Sequence, residues 1–74
     1  MTTIRGRYRI SVRVANGLYN QARRDTLESA TDKLAGMLQS FWYSPSIAVG
    51  TIEERSQDNK RYRVVHTEQE GGRG

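Results

Sequence analysis

The chain contains no cysteine, one proline and one histidine. Without thiols it can hold neither a disulfide nor a thiolate metal site. That excludes a disulfide-stapled secreted scaffold and a zinc finger. Large apolar residues are also scarce: Leu, Ile, Val and Phe number 14 of 74, and all hydrophobic types together make 35%. A chain this short is at most one domain, near the lower size at which a core can sustain itself, and a multidomain enzyme is excluded. No run approaches the roughly 20 apolar residues of a membrane span. Residues 1–10 alternate arginine with apolar residues and lack the continuous apolar stretch of a signal peptide. A cytoplasmic, reducing setting is the expectation.

Lysine is scarce too. Of the 12 basic residues only Lys33 and Lys60 are lysines, so the net charge of +4 is carried by arginine. The imbalance is local. Residues 1–24 hold Arg5, Arg7, Arg9, Arg13, Arg23 and Arg24 and no acid. Residues 25–54 are acidic, with Asp25, Glu28, Asp32, Glu53 and Glu54 against Lys33. Arginine makes forked contacts to phosphate and carboxylate and stacks on flat rings, so this placement bears on partners more than the total does.

What is present is periodicity. In residues 7–14, Tyr8, Ile10, Val12 and Val14 share one parity and Arg7, Arg9, Ser11 and Arg13 the other, the pattern of a half-buried strand. Asn16-Gly17 then favours a tight turn. Residues 18–24 read equally as a second strand or as the start of the coming helix. Residues 25–42 read as that helix. Asp25 is the expected cap with Glu28 three residues on, and Leu27, Ala30, Leu34, Met37, Leu38 and Phe41 form one apolar stripe. Ser44-Pro45 ends it. Residues 46–55 read as a strand with Ile47, Val49 and Thr51 on one face, Ile52 out of phase and Gly50 as a bulge. After a turn at 56–60, residues 61–68 read as a last strand. Tyr62, Val64 and His66 share one face of it, and Arg61, Arg63, Val65 and Thr67 the other. Persistent patterning at modest net charge argues against disorder.

One helix with one apolar stripe calls for one sheet to cover. The expected fold is an α+β two-layer sandwich: one helix packed on one face of a three- or four-stranded antiparallel sheet. The order is βαββ, or ββαββ if residues 18–24 pair. The domain spans 1–68, with 69–74 as a flexible tail. The helix should cover Tyr8, Ile10, Val12, Val14, Tyr62 and Val64. Arg7, Arg9, Arg13, Arg61 and Arg63 should then project from the open face.

The catalytic inventory is poor. There is no cysteine nucleophile, and the single His66 reads as a rim residue of the core. Glu53 and Glu54 point to opposite faces of a strand and cannot act as a pair. No phosphate loop precedes the helix. Neither a cofactor, a metal nor a small-molecule substrate is expected, and binding is favoured over catalysis.

Arginines two apart on a strand stand about 6.8 Å apart, a spacing suited to successive phosphates. With both tyrosines of the sheet expected to face inward, no aromatic platform for single strands is left, and duplex DNA is the favoured nucleic acid. The same alternation also describes a solvated strand face that discourages edge aggregation. The alternative partner is an acidic protein surface, met by the basic face, by an edge strand, or by Trp42 and Tyr43 as anchors. A homodimer fits either partner and would bury apolar surface that one chain cannot.

The composition, short, cysteine-free, arginine-rich and lysine-poor, resembles that of small proteins from phages infecting actinobacteria. The resemblance implies a regulator of phage DNA or a protein that binds and perturbs a host factor. It assigns no residue a role.

Overall fold

A computed structural model describes residues 6–15, 17–42, 44–58 and 60–72. The elements are β1 (Tyr8–Val14), β2 (Gly17–Arg24), α1 (Leu27–Gln39), β3 (Ile47–Arg55) and β4 (Tyr62–Gly71). The order is therefore ββαββ, and residues 18–24 belong to a strand. The sheet runs β2-β1-β3-β4 with every neighbouring pair antiparallel, and α1 lies across one face. The β1–β2 hairpin closes between Val14 and Gly17, whose φ of 119° suits glycine; Asn16 lies outside the described residues.

The helix is shorter than its pattern. Its N-cap is Thr26, whose hydroxyl accepts from the Ser29 amide at 3.2 Å. Asp25 instead accepts from the Gly6 amide, which ties the chain before β1 to the end of β2. Ala30, Leu34, Met37 and Leu38 are buried against Ile10 and Val12 of β1 and Ala48 and Ile52 of β3. Tyr8, Val14, Ala22, Phe41 and Val65 pack around that cluster, while Leu27, 42% exposed, stands outside it.

One strand keeps its expected parity and one departs from it. In β3 the register with β1 is unbroken through Gly50, so Ala48, Gly50 and Ile52 face the helix and Ile47, Val49 and Thr51 face away. Gly50 marks a close approach and not a bulge: a Cβ there would overlap Leu34 Cδ1. In β4 the register shifts between Ile52↔His66 and Glu53↔Val64, which leaves Val65 as a bulge residue. The bulge inverts the strand's start. His66, Glu68 and Glu70 keep the helix side, while Tyr62 and Val64 turn to the open face, where Val64 is 56% exposed.

The last strand also continues to Gly71, so residues 69–71 pair with Val49, Ala48 and Ile47 and are not part of a tail. Gly71 (φ 100°) has no room for a side chain beside the Ser46 carbonyl, and the Gly72 amide donates to Ser44 O at 2.9 Å. Among the described residues, no helix is long and apolar enough to cross a membrane.

Candidate functional site

The face opposite α1 has no covering layer. β1 sends Arg9, Ser11 and Arg13 to it, β2 sends Gln21 and Arg23, β3 sends Thr51, Glu53 and Arg55, and β4 sends Tyr62 and Val64. Four arginines thus share this face with one acid, Glu53, among its described strand residues.

At one end of the face these side chains form a strap across all four strands. Arg9 donates from Nε and Nη2 to Glu53 Oε1 at 3.1 and 3.0 Å. Its guanidinium stands 3.9 Å from the centre of the Tyr62 ring. Arg23, on the far edge strand, donates from Nη1 to the Tyr62 hydroxyl at 3.0 Å. That bond, first among several cationic influences, lowers the Tyr62 hydroxyl below the usual phenol range. The Arg9 plane is held on one side by the ring and at its edge by the carboxylate, yet its side chain stays 27% exposed. Ser11, next along β1, is 2% exposed and accepts from Gln21 Nε2 at 3.3 Å. Arg13 stands exposed at the other end, opposite Val49.

A cleft of about 380 Å³ opens where the sheet ends, lined by Arg7, Glu54, Arg55, Arg61, Tyr62 and Arg63 among others. Arg7 immediately precedes β1, and its carbonyl accepts from the Arg55 amide at 2.8 Å. Glu54, on the helix side of β3, organises the cleft. Its Oε2 accepts from the Tyr8 hydroxyl at 3.0 Å and lies 2.9 Å from Arg7 Nη2, while Oε1 accepts from Arg63 Nη2 at 3.0 Å. The Tyr8 bond, followed by those arginines, holds the Glu54 carboxyl below its ordinary range. Burial, then Glu54, pushes the Tyr8 hydroxyl up. The turn is set by Ser56, whose amide donates to Arg61 O at 2.8 Å and whose hydroxyl donates to Asp58. That bond keeps the Asp58 carboxyl low.

The five arginines expected on one face therefore divide. Arg9 and Arg13 lie on the open face. Arg7, Arg61 and Arg63 gather around the end cleft, because Arg7 precedes β1, Arg61 precedes β4 and the Val65 bulge turns Arg63 to the helix side. Arg23, Arg55 and Tyr62 join the open face unanticipated. Arg23 becomes legible once residues 18–24 are paired with β1, which sets it opposite Arg9.

No protein-family model, curated protein or solved structure matches the chain.

The other expected residues lie elsewhere. Trp42 is 47% exposed just beyond α1, over a groove of about 650 Å³ bordered by Ala35, Gly36, Leu38, Glu68 and Glu70. Tyr43 lies outside the described residues. His66 is half-buried on the helix side of β4 with Nε2 3.4 Å from Glu68 Oε1. Glu28 and Asp32 are exposed on the helix. With Glu68 and Glu70, they place negative charge on the side away from the arginine-bearing face.

Proposed function

We propose that the chain binds single-stranded nucleic acid along the open face of its sheet and acts by binding, not catalysis. The observation that carries this reading is the Arg9–Tyr62 stack, standing on an uncovered face among arginines from three strands. A base extends the stack on the side of the Arg9 guanidinium away from Tyr62, the guanidinium's orientation being already held by Glu53, while Arg13, Arg23 and Arg55 neutralise phosphates. Preorganisation matters here because an arginine ordered before binding loses less freedom on binding. In this reading the chain works in the cytoplasm.

Two features favour a single strand over duplex DNA. Readout by a β-ribbon places two strands in a groove about 12 Å wide. β1 is flanked on both sides by β2 and β3, so its arginines belong to a broad sheet and not to an insertable ribbon. The face also carries an aromatic ring, since Tyr62 points outward. Fluorescence anisotropy with a labelled single strand and with its duplex tests the reading. The single strand is expected to bind more tightly, and Tyr62→Ala to cost about 1–3 kcal/mol of that binding. Equal affinity for the two forms, or no binding at low salt, contradicts it.

Trp42 supports a second reading, a phage-type module that docks on and perturbs a host protein. Its half-exposed indole lies over a groove whose polar side carries Glu68 and Glu70, which suits a basic segment of a partner. A nuclease-treated pull-down should then yield a stoichiometric protein that is lost on Trp42→Ala and kept on Arg13→Ala. Loss on neither substitution removes this reading.

A further inference from the structure

The cleft at the end of the sheet has a chemistry of its own. It holds four arginines against one carboxylate. The carboxylate is fully engaged, by the Tyr8 hydroxyl, Arg7 and Arg63. Arg61 is exposed and has no carboxylate within ion-pair distance among the described residues. Arg63 keeps 77% of its side chain exposed although it touches Glu54, so most of its donors face solvent. Arg7 Nε is shielded from solvent and has no acceptor. Glu54 thus acts as a clamp that positions two guanidinium groups and leaves the cleft a surplus of donors and of positive charge.

The cleft also has a position. Tyr62 and Arg55 line it and belong to the open face as well, so the two surfaces join there. The turn residues Ser56 and Gln57 also line it. A strand running over the Arg9–Tyr62 stack toward this end reaches the cleft where the sheet ends.

We infer that the cleft binds a phosphate monoester, held by Arg7, Arg61 and Arg63 with Tyr62 at its mouth, and that in a bound strand this is the terminal phosphate. A monoester carries nearly two negative charges at neutral pH and three free oxygens, which match several guanidinium forks. A diester inside a chain carries one charge and must continue on both sides. The strand-terminus form rests on the open-face reading; the monoester site itself does not.

The test uses the full chain and an Arg61→Gln, Arg63→Gln double variant, both positions being exposed and outside the core. Phosphate- and hydroxyl-ended single strands are compared, alongside a chemical-shift titration with inorganic phosphate. A terminal phosphate is expected to strengthen binding on the order of tenfold or more. The double variant should lose that gain and keep its affinity for the hydroxyl-ended strand. Inorganic phosphate should shift resonances of Arg7, Arg61 and Tyr62 in the native chain and not in the variant. Phosphate-dependent shifts without any strand binding would support a site for a free monoester and sink the open-face reading instead. Equal affinity for both strand ends with no phosphate-induced shifts overturns the inference, as do shifts that persist in the double variant.

Discussion

Gly50 sits in β3 beneath the helix, where an added Cβ would overlap Leu34 Cδ1 and stand 3.2 Å from Leu38 Cδ1. Leu34 is fully buried and cannot swing clear. Gly50→Ala is therefore expected to destabilise the fold by about 1–3 kcal/mol despite alanine's easier backbone, with partial recovery on adding Leu34→Val. Denaturant melts of the native chain and the two variants check this. Glu54 makes a different residue-scale prediction. Its carboxyl pKa is lowered in the folded chain, so below the unfolded value of about 4.3 the folded state binds fewer protons than the unfolded one. The stabilisation is whole above that value and is lost as pH falls through the lowered pKa. The stability gap between the native chain and Glu54→Gln should narrow on acidification below about pH 4. A gap unchanged down to that range would show that Tyr8 and the arginines do not stabilise the charged form.

At the scale of elements, the helix depends on its cap. Thr26→Ala removes the acceptor for the Ser29 amide and should cost about 1 kcal/mol, whereas Asp25→Ala should instead loosen Gly6. Much of the element order was legible from periodicity: the first strand, the helix stripe, the turn at 56–60 and the two later strands. The core side of β3 and the faces of β4 were not. In β3 the core side carries Ala48 and Gly50, residues too small to register as apolar, and they are small because Leu34 and Leu38 come close. Ile47, Val49 and Thr51 do share a face, as their spacing implies, and it is the open one. In β4 the signal was present but easily misread. Val64 and Val65 are adjacent, and such a pair fits an alternating strand only by exposing one valine or by bulging. The structure does both, and Tyr62 reaches the open face as a result. Deleting Val65 should restore plain alternation and detach Tyr62 from Arg23. Loss of the lowered Tyr62 titration by ultraviolet absorbance would report that detachment.

The whole molecule is a thin two-layer unit with one covered and one uncovered sheet face. Its core is a single cluster shared by α1, β1 and β3, so one large truncation weighs heavily. Leu34→Ala is expected to cost about 2–5 kcal/mol, a large part of the roughly 4–11 kcal/mol available to a chain of this length. Both edge strands carry a bulge, at residue 19 in β2 and at Val65 in β4, a device that blunts edge-to-edge pairing. The uncovered face is what the small core leaves over, and it is where Arg9, Arg13, Arg23, Arg55 and Tyr62 meet. The candidate site was half legible in the sequence. The arginine-bearing parity of β1 held, because burying unpaired guanidinium groups is too costly, but its neighbours depended on pairing and on the bulge. The most direct measurement of the central claim is the salt dependence of single-strand binding, for the native chain and for Arg13→Ala, Arg23→Ala. With three phosphates neutralised, the logarithmic slope should be about −2, a loss of about 20-fold between roughly 50 and 200 mM salt, and the double variant should be shallower by about 1.4. A slope that the two substitutions leave unchanged would contradict the assignment of nucleic acid to this face.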